Sequence, residues 1–402
     1  MPRVLLRVLT VVVVLWAALA ATPALAIDAP TLERKLAAES RLLGSASGVR
    51  VVDLDTSRVL FTQQENRALA PASNEKLFTT ASALLRFGAD GVLTTVARAP
   101  TGTAVDEVGS LRGDLYLVGG GDPTLGDAAL SDLALQLSQD GGLRRVTGGV
   151  VGDDSRFDAA RGFDPFLGGR LGALTWGHGR GGTQGPAQVA AERLQRLLSA
   201  RGVDFGRRAR SGTLPSSEAA AGDPVDLAAV DSPPMRSLIA ATNVPSDNFY
   251  AETLVKALGA AFGAAGSTSA GLAVVRADLA TFGIHPRLTD GSGLSRSDRT
   301  TARQVVRLLE RMAAQEQSAA WMSSLAVAGR SGTLRRRTRR TAAAGACRGK
   351  TGTLSNVSAL SGYCVARNGH TVAFSVLANR VYTPGAKRVE DRIAAAIARF
   401  DG

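Results

Sequence analysis

Ser73 and Lys76, in the stretch PASNEKLFTTASALLRFG (residues 71–88), are the side chains best placed to do chemistry. The chain has 42 arginines and only five lysines, so a lysine one helical turn from a serine stands out. Leu77, Ala81, Leu84 and Leu85 recur at helical spacing and Gly88 supplies a stop, which puts Ser73 and Lys76 on one face of a first turn. A serine there lies among the free N–H groups of a helix N-terminus. A neighbouring amine can take its proton if burial lowers the amine pKa. The same spacing also suits a capping serine followed by a surface lysine, so the rest of the chain must decide.

Two further stretches bear on that decision. Ser246-Asp247-Asn248, in TNVPSDNFYAETL, opens a helical pattern, and Lys350-Thr351-Gly352-Thr353, in CRGKTGTLSNVS, lies in a β-prone run. Alone, the first reads as an N-cap and the second as a turn. In the order S-x-x-K, S-x-N, K-T-G, the three resemble the motifs of penicillin-recognising serine acyl enzymes. LYLVGGGDPTL, DGSGLSRSDRTTA and GRSGTLRRR are similar to flanking signatures of the D-Ala-D-Ala carboxypeptidase/endopeptidase family, peptidase family S13, the low-molecular-weight class C penicillin-binding proteins. The separation of 173 positions from Ser73 to Ser246 matches the long insertion of that family, whereas RLGALTWGHGRGG fits it poorly.

The resemblance implies an α/β (α+β) fold: a transpeptidase-like domain with an antiparallel sheet flanked by helices, and an inserted α/β domain. It also implies roles. Ser73 would attack the carbonyl of the penultimate D-alanine of a peptidoglycan stem peptide, with Lys76 as proton acceptor and Lys350 helping to keep that amine neutral. Ser246 would pass the proton to the leaving amine, and Asn248 would hold Lys76 and the substrate amide. Backbone N–H groups of Ser73 and Thr353 would form the oxyanion hole. Lys350 with the hydroxyls of Thr351 and Thr353 would bind the terminal carboxylate, and Gly352 would admit the substrate close to the strand. Asp122 reads either as a turn acid before Pro123 or as a partner for the free amine of a stem-peptide diamino acid. β-Lactam antibiotics are the expected inhibitors.

These residues need elements to hold them. TLERKLAAESRLL (31–43) carries Leu32, Leu36 and Leu43 on one helical face, and GVRVVDL and RVLFTQ read as strands around Asp55-Thr56-Ser57. VSALSGYCVA and HTVAFSVLAN flank the turn Arg367-Asn368-Gly369, and AKRVEDRIAAAIARF forms a closing helix. Both ends are thus expected to build one sheet, giving a catalytic domain of residues 27–88 and 232–402 around an insert of 89–231. GHGRGG (177–182) matches G-x-G-x-x-G, but no clean strand precedes it and no acid follows at the required distance; it reads as a loop, not a dinucleotide site. Asp290 in DGSG reads as a turn near the cleft, and the run Arg335 to Arg340 as a solvated loop with anionic glycan as an alternative contact.

Composition bounds the setting. Residues 1–26 have a basic start (Arg3, Arg7), an apolar run from Val8 to Ala21 and the small-x-small end Ala24-Leu25-Ala26, the pattern of a secretory signal peptide cut after Ala26. An uncleaved anchor is the alternative; no cysteine follows the cut to carry a lipid. Export argues against a nucleic-acid partner for the remaining 45 basic and 35 acidic residues, and anionic wall polymers or lipid headgroups are the expected counter-surface. His178, His285 and His370 have no ligand-like spacing, so neither a metal nor another cofactor is expected. Cys347 and Cys364 suit one disulfide: a hairpin centred on Ser355-Asn356 places them opposite each other across two strands, two buried free thiols being the alternative. A β-lactamase or a non-catalytic wall-binding protein would be the competing functions. The general-base motif E-x-x-L-N of efficient class A β-lactamases is absent after S-x-N, and the intact nucleophile and lysines argue against a dead enzyme.

Overall fold

The computed structural model describes residues 26–162, 164–180, 184–215 and 223–402, so the expected leader, apart from Ala26, lies outside the described residues. The two ends of the chain meet in one antiparallel sheet. Its strand order is Ala326–Val327, Cys347–Leu354, Val357–Val365, Thr371–Asn379, Ser47–Asp53 and Arg58–Gln63. Alternation sends Val372, Phe374 and Val376 to one face and Ala373 and Leu377 to the other. Both faces are therefore buried. The first packs on the helices Ala29–Arg41 and Thr383–Ile397 through Leu32, Leu36 and Ile393. The second packs on helix Ala302–Ala313 and on the helical layer containing Lys76–Phe87. Leu36 is fully enclosed, and its truncation to alanine should cost roughly 2–5 kcal/mol.

A second, five-stranded sheet is built entirely from residues 94–231, in the order Val225–Asp231, Thr94–Ala99, Leu115–Val118, Val150–Asp153, Arg210–Ser211. Its first two pairings are antiparallel and its last two parallel. Helices Asp127–Leu135 and Pro186–Ser199 cover it, with Leu130, Leu133, Leu194 and Leu198 in a separate apolar core. This is the stretch that the sequence set apart from the two chain ends.

The arginine run is not wholly solvated. Arg337 is largely buried and bonds Glu390 and Asp391 of the last helix at 2.8 Å each. A buried carboxylate, Glu390, attracts one arginine inward and leaves its neighbours Arg335, Arg336, Arg339 and Arg340 exposed.

The hairpin Cys347–Leu354/Val357–Val365 has the expected register, with Cys347 opposite Cys364, Lys350 opposite Ser361 and Thr353 opposite Ser358. The two cysteines form a disulfide across a Cα separation of 4.0 Å. Asn356, in the turn, takes a left-handed φ of 56°, a conformation asparagine tolerates. Replacing both cysteines by serine should lower unfolding free energy by about 3 kcal/mol in chemical denaturation, the chain-entropy value for a loop of this length. Two alkylatable thiols in the denatured, unreduced wild-type protein would refute the bridge.

Candidate active site

Ser73 lies in a short 3-10 turn, Ala72–Glu75, and the α-helix begins at Lys76 rather than at the serine. The tight turn still brings the pair together: Lys76 Nζ is 3.1 Å from Ser73 Oγ. The same ammonium nitrogen donates to Asn248 Oδ1 (2.6 Å) and to the Ser292 carbonyl (2.5 Å). Asn248 is the first residue of helix Asn248–Phe262, capped by the Asp247 side chain, which accepts from Tyr250 N. Its own amide donates to the Phe166 carbonyl at 2.8 Å, so a loop from the second sheet's segment also holds it.

Across the cleft, Lys350 Nζ donates to Ser246 Oγ (2.7 Å) and to the Thr351 carbonyl (2.8 Å). Thr351 Oγ1 lies 2.8 Å from Thr333 Oγ1, of the GRSGT stretch. Ser246 has φ of 67°, a strained conformation for serine that costs of order 1–3 kcal/mol and must be held by its surroundings. Ser73, Ser246, Asn248, Arg296, Thr351 and Thr353 line one open cleft of about 730 Å³.

Two backbone donors face this cleft. Cys347 turns its carbonyl to Ala328 N, on the edge away from Val357–Val365. Alternation puts the Thr353 N–H on that same free edge, beyond the end of the short strand Ala326–Val327. Ser73 N–H, in the first turn of a helix, has no intrahelical acceptor. Gly352 fits between them: a Cβ there would lie 2.6 Å from the Pro71 carbonyl and 3.1 Å from Ser73 N. The absent side chain therefore admits the backbone of Pro71 and Ser73 against the strand.

Burial lowers the Lys76 pKa to about 8, while Glu252, Asp290 and Glu75 pull it the other way. Burial, rather than Lys350, is the leading cause. Lys350 is pushed well below its usual value, by burial first and then by Lys76. It makes no ion pair with a carboxylate among the described residues. Behind Lys76, burial raises Glu75 far above the carboxylate range and Glu252 to about 7. Both Glu75 oxygens are buried without a hydrogen-bond partner, which disfavours the charged carboxylate.

Several participants carry no motif signal in the sequence. The Ser292 carbonyl reaches Lys76 because Asp290 accepts the N–H groups of Ser292, Gly293 and Ser295, while Glu252 accepts from Gly291 N. Asp290 is thus a turn acid, as expected. Asp122 adopts the acidic turn that is one of its two readings. It is 4% exposed, does not line the Ser73 cleft, and its Oδ1 accepts from both the backbone N and the hydroxyl of Thr124. That is an Asx turn before Pro123. Asp53, Asp55 and His370 could converge on a metal, but Asp53 bonds His370 Nδ1 at 2.8 Å and Asp55 bonds Thr371 N, so these groups already lock the hairpin ends.

GHGRGG also has an unforeseen part. His178, with φ of 67°, places Nε2 2.9 Å from Asp247 Oδ2 and stacks on Phe249 at 4.3 Å. It thereby steadies the residue between Ser246 and Asn248.

Comparison with known proteins identifies the family. The model of the D-Ala-D-Ala carboxypeptidase 3 (S13) family matches residues 29–166 and 181–400. The chain is 33% identical to a D-alanyl-D-alanine carboxypeptidase of Actinomadura sp. (strain R39), over 90% of this chain and 82% of that protein. It is 32% identical to carboxypeptidase DacB of Mycolicibacterium smegmatis, over 88% and 80%. The crystal structure of penicillin binding protein 4 from Haemophilus influenzae has the same fold, with a TM-score of 0.74 at 21% identity over 89% of this chain and 97% of that one. His178 falls in the short segment that the family model passes over. His178→Ala should slow acylation of Ser73 by a penicillin about tenfold, the effect of losing one charge-assisted hydrogen bond, while Asp247 keeps its helix cap. An unchanged acylation rate would show that the His178–Asp247 contact does not position the motif. With all three motifs converging on one cleft, and with matches across nearly all the described residues, the chain belongs to the D-Ala-D-Ala carboxypeptidase 3 (S13) family.

Proposed function

We infer that the chain is a serine-type D-Ala-D-Ala carboxypeptidase acting on peptidoglycan stem peptides through an acyl-enzyme on Ser73. The observation that carries this reading is the pairing of Ser73 with a buried amine of lowered pKa, opposite a second buried amine that no carboxylate among the described residues neutralises. A ligand carboxylate would supply the missing charge at Lys350 and raise its pKa back toward the charged form.

In the proposed reaction neutral Lys76 takes the Ser73 hydroxyl proton as Oγ bonds to the penultimate D-alanine carbonyl. The oxyanion points at the N–H groups of Ser73 and Thr353, each worth about 3 kcal/mol in such a site. The C–N bond then breaks, and the proton reaches the leaving D-alanine amine through Ser246, which bonds Lys350. Asn248 holds Lys76 throughout. Water takes the place of the amine and reverses the steps, releasing the shortened peptide and free Ser73. A cross-linked donor ending in D-alanine would form the same acyl-enzyme, so endopeptidase action is part of the proposal. β-Lactams would acylate Ser73 as inhibitors, and a leader of the expected kind would direct the enzyme outside the cytoplasm. We take residues 27–88 and 232–402 as the catalytic unit, with 89–231 inserted.

Two outcomes follow. Labelled penicillin should modify Ser73 alone, and Ser73→Ala should lose both labelling and D-alanine release; a label on Ser246, or labelling retained in Ser73→Ala, would overturn the assignment. The acylation rate should rise about tenfold per pH unit and level off near pH 8, where Lys76 loses its proton. A profile flat from about pH 6 to 9 would remove Lys76 from the role of base.

A further inference from the structure

Beyond the cleft, past the Ser355–Asn356 turn, lies a second cavity of about 380 Å³. Its floor is small and apolar, formed by residues such as Leu69, Ala70 and Val357. Around it stand four arginines, Arg67, Arg296, Arg299 and Arg380, and none of its lining residues is acidic. Several arginines elsewhere in the chain are paired with carboxylates, as in Arg50–Glu65, Arg337–Glu390 and Arg392–Glu39. Here the recorded partners are neutral. Arg67 donates to Gln64 Oε1, Arg296 to the Ser355 carbonyl, and Arg299 to the carbonyls of Arg296 and Asp298. Four arginines around one depression, three of them exposed, make a locally positive surface; solvent and salt screen their repulsion, and a bound anion would relieve it further.

The pocket is also held open in advance. Arg380 has φ of 58°, uncommon for a long side chain. Its neighbours fix it: Asn379 exchanges hydrogen bonds with the backbone of Ala70 (2.9 and 3.0 Å), and Val381 N donates to the Asn356 carbonyl. Arg296 lines both this cavity and the Ser73 cleft, so the two are neighbours. A substrate lying along Thr351–Ser355 and continuing past the turn would arrive among the arginines.

We propose that this arginine-lined pocket is an anion site that receives an oxyanion group, phosphate or carboxylate, of the wall polymer bearing the stem peptide. Arg67, Arg299 and Arg380 hold the anion while the D-Ala end occupies the Ser73 cleft. Recognition would then favour polymeric substrate over a short free peptide. The proposal rests on the DD-peptidase reading for its biological setting, but the site's affinity for an anion does not.

The test uses Arg67→Glu/Arg380→Glu in the full chain, with Arg67→Gln/Arg380→Asn as a neutral variant whose asparagine tolerates the left-handed backbone. Inorganic pyrophosphate is titrated calorimetrically at low salt, and D-alanine release is measured on purified wall sacculi and on a short soluble D-Ala-D-Ala peptide. Wild type should bind pyrophosphate with an affinity that falls as salt rises, and the charge-reversed variant should lose that binding. KM on sacculi should rise about tenfold with reversal and about threefold with neutralisation, leaving the short-peptide rate within about twofold. Sacculi stripped of phosphodiester polymers distinguish the sources: the KM difference vanishes if phosphate is the ligand and persists if carboxylate is. Pyrophosphate binding equal in wild type and the charge-reversed variant, or an unchanged KM on both kinds of sacculi, would overturn the proposal. Failure of the DD-peptidase reading would look different, with no D-alanine released from either substrate by wild type.

Discussion

The site depends on burying two amines within one cleft, Lys76 and Lys350, each less than 2% exposed. A buried ammonium is costly unless it is neutralised or surrounded by acceptors. Here the immediate acceptors are all uncharged: Ser73 Oγ, Asn248 Oδ1 and the Ser292 carbonyl for Lys76, Ser246 Oγ and the Thr351 carbonyl for Lys350. The S-x-N motif serves both amines from residues only two apart. It does so because Ser246 adopts a left-handed backbone just before the helix that begins at Asn248. The strain at Ser246 is thus the local cost of letting one loop address both sides of the cleft. Carboxylates stand one layer behind Lys76, where they moderate its pKa without capturing the proton-accepting nitrogen.

The three motifs come from distant parts of the chain, and two glycine-bearing loops bind them together. Gly293 packs so closely on the nucleophile turn that a Cβ would lie 1.9 Å from the Ala72 carbonyl. Gly332 does the same against Val244, just before the S-x-N loop, at 2.0 Å, and Thr333 N donates to that Val244 carbonyl. Thr333 then continues to Thr351 of the K-T-G strand. DGSG therefore fastens the first motif, and GRSGT joins the second to the third. Backbone contact at this range leaves little play between nucleophile, base and carboxylate-binding residues, which is what preorganised catalysis requires.

Much of this was legible in the sequence because it rests on local pattern. Alternation in GVRVVDL and HTVAFSVLAN gave the strands, and the hairpin around Ser355-Asn356 gave the Cys347–Cys364 register. What escaped depends on tertiary packing. A carbonyl such as that of Ser292 has no residue-type signature, and burial of Glu75 beside Lys76 cannot be read from a turn that looks exposed. Asp122 kept two readings because a short acidic turn has the same sequence whether its carboxylate faces a ligand or folds back on Thr124. His178 was invisible for the opposite reason: its glycine-rich surroundings read as an unstructured loop, yet consecutive left-handed residues at 177, 178 and 179 shape that loop to deliver the imidazole to Asp247.

The position of the second sheet explains how so long a segment can sit inside a catalytic fold without loosening it. Thr94 and Asp231 are antiparallel partners, and Ser232 N bonds the Leu93 carbonyl, so the segment leaves and returns at one point. Its closure is settled by that strand pair, and the added length burdens the remainder of the fold only weakly. A unit anchored at its base by a strand pair, with its own apolar core, can present a loop at a distance. Residues 164–180 are that loop. Through the Phe166 carbonyl on Asn248 and His178 on Asp247 they bear on the one motif that contacts both buried amines. This segment is therefore coupled to the S-x-N motif, and sequence change in this loop alters the setting of Asn248 while Ser73, Lys76 and Lys350 stay the same.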